Sequence, residues 1–357
     1  MWYNIKNHIL RSIAVKIIHC ADIHIGSPLT GVANSAARRH ELLKAFEQMT
    51  NYAYNVGAEA VVIAGDLLDK EGVTSNELSS LATAMARYPV NYFVVAGNHG
   101  GGDYGRLRSL TTPNVRYFDE RWRSYTLGNV CISGMELDGN DAEKWKEVAT
   151  DKSKYNIVVL HADIDSGDYG ELNTDVLVSQ QVNYVALGHR HTFMHKRIGK
   201  TDFVYSGVLE IRGFDERQDS GFVLIDTDSG KIQFVKQALR SVSDVTVDCN
   251  GVSDDLQLRR KVENALKDVD KENYINVTLT GYTEERVHAN RIRQDLKGRF
   301  FALRIKDDTH IRLDMSKLPQ STLAGRFCRL VMQELSPEVR EDVVRMGLSA
   351  LYGEELQ

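Results

Sequence analysis

Apolar runs of four to six residues alternate along the first half of the chain with longer stretches in which apolar positions recur every three or four residues. Val15–Cys20 (VKIIHC), Ala60–Ala64 (AVVIA), Tyr92–Ala96 (YFVVA), Ile157–Leu160 (IVVL) and Tyr184–Leu187 (YVAL) lack the polar alternation of a half-exposed strand. Each reads as a strand buried on both faces. Between the first two runs, Leu42, Leu43, Phe46, Met49 and Ala53 share one face of a predicted helix that Gly57 closes. A second helix is expected over 75–87. This order predicts a parallel sheet with helical crossovers, in which ligands gather beyond the carboxyl ends of the strands. Shorter strand-like runs follow at Val115–Phe118, Ser124–Leu127 and Val130–Met135, and apparent antiparallel strands at Asp202–Tyr205, Gly221–Asp226 and Lys231–Val235.

Past about residue 241 the pattern shifts to short strands (245–249, Tyr274–Leu279, Phe300–Ile305) and charged helices (Asp254–Val269, Glu284–Leu296). These read as a small C-terminal α+β domain, ending in a mostly helical stretch, Ser321–Tyr352, that breaks before Pro337. Arg259, Arg260, Lys261, Arg286, Arg291 and Arg293 on its helices could track phosphates. Acidic neighbours interleave them, so a solvated charged face is the plainer reading. The expected divisions are an N-terminal extension (1–14), an α/β domain (15–240) and the C-terminal domain (241–357).

The residues that follow the buried runs carry the chemistry. Asp22 and His24 follow the first, Asp66 and Asp69 the second, Asn98 and His99 the third, His161 the fourth, and His189-Arg190-His191 the fifth. In an extended segment the i, i+2 spacing of His189 and His191 points both imidazoles to one side. A lone His-x-His is a weak signal, and its recurrence with carboxylates at the other strand ends is the strong one. Asp22, His24, Asp66, Asn98, His161, His189 and His191 offer only oxygen and nitrogen donors. Such a set suits two divalent ions, Mn²⁺, Fe²⁺ or Zn²⁺, better than a structural zinc site. Two ions ~3.5–4 Å apart polarise a phosphoryl group and hold a hydroxide for in-line attack. Lowering a water pKa from ~15.7 toward ~7 corresponds to about 12 kcal/mol, more than the ~10²–10⁴-fold in rate from a single general acid or base.

The glycine-rich stretch from Gly100 to Arg108 has no GxxxxGK[ST] pattern and opens no obvious helix, so it reads as a loop rather than a phosphate cradle. Its Arg106 and Arg108, and Arg190 between the two histidines, are candidate substrate contacts. Asp163, Asp165 and Asp168 lack EF-hand spacing and read as loop acids. His19 and His195 lie outside the strand-end pattern and read as structural or surface residues.

Composition changes this picture little. With 357 residues, 42% hydrophobic and 26% charged, the chain is long enough for two cores, and its net charge of −5 argues against a protein that coats nucleic acid nonspecifically. Cys20, Cys131, Cys249 and Cys328 are scattered without framework spacing, which suggests reduced thiols in a cytoplasmic protein. No apolar run approaches the ~20 residues of a membrane span. The first fourteen residues are broken by Asn4, Lys6, Asn7, His8 and Arg11 and lack a signal-peptide core.

The ordered blocks D-x-H, G-D-x-x-D, G-N-H, H and G-H-x-H, from Asp22 to His191, resemble the calcineurin-like metallophosphoesterase family. IIHCADIHIGSPL and VYSGVLEIRGFDERQDSGFVLID resemble its DNA-repair exonuclease branch, the SbcD-like nuclease subunits that work with an SbcC-type coiled-coil ATPase. The resemblance covers about residues 15 to 240. It implies a metallophosphoesterase β-sandwich flanked by helices, an α/β fold, with the C-terminal domain as a cap that steers DNA. By motif, Asp22, His24, Asp66 and His191 would hold one metal, and Asp66, Asn98, His161 and His189 the other, with Asp66 bridging. His99 would protonate the leaving alkoxide or stabilise the transition state, and Asp69 would support the site. The family usually has Asp after G-N-H, where this chain has Gly100; Asp103, or a carboxylate from elsewhere, is the expected replacement for orienting His99. The implied protein is a Mn²⁺-dependent nuclease acting on DNA ends, as a homodimer with an ATPase partner. A phosphatase or phosphodiesterase for small molecules, and a weakly active DNA-end scaffold, are the alternatives.

Overall fold

The structure, a computed structural model, describes residues 15–29, 35–70, 72–99, 101–137, 148, 150–164, 172, 174–284, 286–311 and 319–352. The expected N-terminal extension (1–14), Gly100, Asp165 and Asp168 lie outside the described residues. The chain divides into two compact units, Met1–Ser241 and Val242–Gln357.

The first unit opens with β1 (Lys16–Cys20), α1 (Ser35–Asn55), β2 (Ala58–Ala64), α2 (Ser75–Ala86), β3 (Asn91–Val95), α3 (Asp103–Leu110) and β4 (Val115–Tyr117). It continues with β5 (Arg123–Leu127), β6 (Val130–Gly134), β7 (Tyr155–His161), α4 (Thr174–Ser179), β8 (Tyr184–Gly188), β9 (Met194–Ile198), β10 (Thr201–Tyr205), β11 (Gly221–Asp226) and β12 (Lys231–Lys236). Two six-stranded sheets result, ordered β12-β11-β1-β2-β3-β4 and β5-β6-β7-β8-β10-β9. β1 to β4 run parallel, as buried strands joined by helical crossovers require.

The period of two sorts the apolar runs between two layers. Ile17, Ala60, Val62, Phe93 and Val95 face Ile157, Val159, Tyr184 and Ala186 of the second sheet. Ile18, Val61, Ile63, Tyr92 and Val94 pack instead with Leu42, Phe46 and Met49 of α1 and Leu78, Leu81 and Met85 of α2. Burial on both faces is why these strands show no polar alternation. Helix α2 starts at a capping box, with the Thr74 hydroxyl accepting from the Glu77 amide at 3.2 Å and the Glu77 carboxylate accepting from the Thr74 amide at 2.8 Å.

Two expectations change. The Gly-rich stretch does open a helix, α3, with Asp103 in its first turn and Tyr104 and Leu107 buried. Residues 202–205 do not belong to an antiparallel run with the two strands that follow: β10 pairs parallel with β8, and antiparallel with β9, a strand the apolar pattern missed because it is MHKRI. The turn between β9 and β10, Gly199-Lys200 with Gly199 at φ +59°, was the available hairpin signal. β11 and β12 instead complete the first sheet.

The second unit holds β13 (Val242–Asp248), α5 (Asp255–Ala265), β14 (Tyr274–Thr283), α6 (Ala289–Asp295), β15 (Ala302–Ile311), α7 (Leu323–Glu334) and α8 (Pro337–Tyr352). Its strands are parallel, ordered β13-β14-β15, so the expected α+β arrangement is refined to alternating β-α-β crossovers. Leu258, Val262 and Ile292 of the helices cover Val247, Ile275, Val277 and Leu279 of the sheet. Arg259 pairs with Glu263 and Asp295, and Arg291 with Asp255, so these cations have acidic partners on the same unit. No helix among the described residues is long and apolar enough to cross a membrane.

Candidate metal centre

The strand ends of the first unit converge through their own backbone. Past β1, the amides of Ile23 and His24 both donate to the Asp66 carbonyl at 2.9 Å, and past β2 the Asp66 amide donates to the Ala96 carbonyl at 2.8 Å. Asp22, His24, Asp66 and His189 all adopt left-handed backbone, with φ of +51°, +51°, +49° and +96°. Non-glycine residues in that region cost on the order of 1–3 kcal/mol each and persist where surrounding contacts over-determine them. Gly97, at φ +86°, abuts Asp66: a Cβ there would run into the carboxylate. The strained bends and bare backbone turn polar side chains into one small volume.

Asp66 lies at the middle of that volume. Its Oδ1 accepts from the His99 amide at 2.9 Å, and its Oδ2 stands 3.4 Å from His161 Nε2 and 3.8 Å from the Nε2 atoms of His24 and His99. The Asp22 carboxylate accepts from the His189 amide at 3.1 and 3.2 Å. His161 donates from Nδ1 to the Ala64 carbonyl at 3.0 Å, which leaves a lone pair on Nε2 facing Asn98 Oδ1 at 2.9 Å. His24 is 1% exposed, yet neither ring nitrogen has a hydrogen-bond partner. The His189 ring packs edge-on against His161, and the His191 ring against His24.

Donor atoms gather within 4.8 Å of one another in three overlapping groups: Asp22, His24 and His191; Asp22, Asp66 and His161; and His24, Asp69 and His99. Burial pushes the carboxyls of Asp22 and Asp66 up to about 7, the charge of Asp22 adding to the shift at Asp66. Burial also lowers His161 to about 3 and depresses His24 strongly, so these imidazoles are neutral. Buried carboxylates costly to ionise, neutral imidazoles and unpartnered ring nitrogens fit a divalent cation, which would compensate the charge and take the lone pairs.

The remaining expected residues are distributed as follows. His99 is the outermost of the cluster around Asp66, with a third of its side chain exposed. Its Nδ1 is buried without a hydrogen-bond partner, so Asp103 does not orient it here; Asp103 accepts from Arg106 at 2.6 Å instead. The carboxylate that clusters with His99 is Asp69. Arg106 also donates to Ser75, and Arg108 to Glu136 and the Phe118 carbonyl, which ties both to the flank of α3. Arg190 donates to Asp163 at 2.5 Å and lies over the Tyr205 ring.

Sequence reasoning missed Arg212 and Glu216. Glu216 Oε1 is 3.1 Å from His191 Nδ1, and Arg212 binds Glu216 while lying 3.8 Å from Asp69. Burial would raise Glu216, but His191 and Arg212 outweigh it and bring its carboxyl down to about 2. The signal available was the density of charge in EIRGFDERQD, four residues beyond a buried strand.

The chain belongs to the calcineurin-like phosphoesterase family, whose profile matches residues 15–193, half of its length. Among curated relatives it is 23% identical to the uncharacterized metallophosphoesterase YhaO of Bacillus subtilis, over 63% of this chain and 60% of that one. It is 24% identical to the DNA double-strand break repair protein Mre11 of Methanosarcina mazei, over 59% of this chain and 36% of that one. It is 21% identical to a subunit of the nuclease SbcCD from Staphylococcus epidermidis, over 96% of this chain and 100% of that one. The chain thus spans less than two thirds of the length of YhaO and of the Methanosarcina Mre11.

Proposed function

We propose that this protein is a two-metal phosphodiesterase that degrades DNA from its ends. The observation that carries the metal chemistry is the meeting of His161 Nε2, Asn98 Oδ1 and Asp66 Oδ2, electron-pair donors within 2.9–3.4 Å of the imidazole nitrogen. Asp22, His24, Asp66 and His191 would hold one ion and Asp66, Asn98, His161 and His189 the second, with Mn²⁺ the proposed metal. When bound, such ions supply Lewis acidity toward the phosphoryl oxygens and an activated water. The protein's own part is to hold Asp66 between the two sites and to present His99, the most exposed of the imidazoles around Asp66, to the leaving oxygen. As a neutral ring in a partly buried setting, His99 can donate a hydrogen bond there.

DNA as substrate rests on the names of the relatives, a DNA double-strand break repair protein and a nuclease subunit, the latter matching this chain over most of its length. The same likeness supports a homodimer in the cytoplasm working with an SbcC-type ATPase, and residues 241–357 as a DNA-steering cap. Mn²⁺-dependent loss of linear duplex DNA, with closed circular DNA, a small phosphodiester and Asp66→Ala in parallel, tests the reading. Loss of linear DNA alone, abolished by the substitution, supports it. Intact DNA with a hydrolysed small diester would replace it by a small-molecule phosphodiesterase, and metal-dependent DNA binding without cleavage by a scaffold.

A further inference from the structure

His191 differs from His24 and His161 in how it is held. Its side chain is 34% exposed, where His24 and His161 expose 2% and 1%. The strand ends therefore clamp His24 and His161, whereas His191 stands on the open side and needs another support. The segment between β10 and β11 supplies it. The Val208 amide donates to the His191 carbonyl at 3.1 Å and Gln218 Nε2 donates to the same carbonyl at 2.8 Å. From the same segment the Glu216 carboxylate reaches the ring itself, with Oε1 3.1 Å from Nδ1.

Glu216 is in turn held from several directions. Its Oε1 accepts from Arg212 Nη2 at 2.8 Å and Nε at 3.1 Å, and its Oε2 from the Arg212 amide at 2.6 Å. Arg212 Nη2 also lies 3.1 Å from His191 Nδ1, so two arrangements compete for that nitrogen. Nδ1 cannot accept a hydrogen bond from arginine and donate one to the carboxylate at once. A carboxylate only accepts, and a proton on Nδ1 satisfies it while leaving the lone pair on Nε2. The opposite tautomer would place a proton on Nε2 and remove His191 as a neutral ligand through that atom.

We propose that Glu216 is the positioning residue of His191: it accepts the Nδ1 proton, fixes the tautomer and ring orientation, and so directs Nε2 at the ion shared with Asp22 and His24, while Arg212 locks the carboxylate in place. The inference rests on the metal-centre reading above and adds a residue to it. Carboxylates behind metal-bound histidines typically contribute 10–100-fold in metal affinity.

The test is calorimetric titration of Mn²⁺ into the chelator-stripped full chain, for wild type, E216M and E216Q, with thermal unfolding of each metal-free form. E216M keeps the bulk but offers no acceptor, and should weaken Mn²⁺ binding by about 10–100-fold. E216Q keeps an oxygen for the Nδ1 proton and should lose less. E216A takes the place of E216M if that variant does not fold. Wild-type affinity in E216M overturns the proposal even if its melting temperature falls, because Glu216 would then only anchor its loop to Arg212. Equal losses in E216M and E216Q overturn the hydrogen-bond account. Wild type that binds no Mn²⁺ removes the metal centre itself, an outcome distinct from the other two.

Discussion

His161 Nε2 lies 2.9 Å from Asn98 Oδ1 while its Nδ1 is committed to the Ala64 carbonyl at 3.0 Å. Two acceptors therefore face each other, His161 buried and Asn98 at the exposed edge of the site, an arrangement that a cation relieves. Mn²⁺ should accordingly raise the melting temperature of the wild-type protein, and a ligand at 100 times its Kd corresponds to about 2.7 kcal/mol. Asn98→Ala and His161→Ala should lose most of that increment. Scanning fluorimetry with Mn²⁺ and with a chelator checks it; the same melting temperature under both conditions would remove the metal from the account.

The pH dependence of the metal-free protein has a definite sign. Asp22 and Asp66 titrate at about 7 when folded, because burial disfavours their charge, against about 3.9 in an unfolded chain. Between those values the folded protein keeps protons that the unfolded chain releases, so stability falls as pH rises through the window. The loss should be on the order of a few kcal/mol. Asp66→Asn removes part of it: the metal-free variant should exceed metal-free wild type in urea midpoint at about pH 8 and lose the advantage at about pH 5. A variant weaker than wild type at the higher pH would contradict the assignment.

The sandwich and the place of its donors were legible because both depend on local pattern. Val61 and Ile63 face the helices while Val62 and Ala64 face the second sheet, and a strand buried on both sides leaves a continuous apolar run whose end is easy to see. Asp22, Asp66 and Asn98 sit just past such ends. The left-handed backbone at Asp22, His24, Asp66 and His189 was not legible, since contacts between strand ends impose it. The pairing of Glu216 with His191 spans 25 positions and a change of sheet, beyond what spacing can encode. Asp103 shows the reverse error: nearness in sequence to His99 suggested contact, but the first turn of α3 hands its carboxylate to Arg106.

Arg38 and Glu210 form a pair at 2.6 Å with side chains 0% and 1% exposed. Arg38 also donates to the Ile211 carbonyl, and Glu210 accepts from the Leu239 amide at 2.7 Å. Burial raises the Glu210 carboxyl, and the charge of Arg38 pulls against that rise. Arg38 keeps a second carboxylate, Glu41 at 2.7 Å, so Glu210→Ala should cost about 1.5–3 kcal/mol, the scale of a lost hydrogen bond to a charged group. Replacing both residues by apolar ones of similar volume should recover much of that. Urea unfolding decides; a loss within about 1 kcal/mol for the single variant would mean water reaches Arg38.

Asp69 and Asp103 make opposite predictions for His99. Asp69 lies 3.7 Å from His24 Nδ1 and clusters with a His99 ring nitrogen, and its charge raises the basicity that burial lowers. Asp103 is occupied by Arg106, so Asp103→Asn should leave turnover of linear DNA within about twofold of wild type. Asp69→Asn should lower kcat by about tenfold or more, the scale of weakening one acid–base group. Because Asp69 also lies 3.8 Å from Arg212, Mn²⁺ affinity must be measured beside kcat. A fall in kcat at unchanged affinity places Asp69 behind His99, where the family's usual aspartate is replaced by Gly100. Loss in Asp103→Asn alone would restore Asp103 to that role, and no loss in either variant would mean that His99 works without a carboxylate partner.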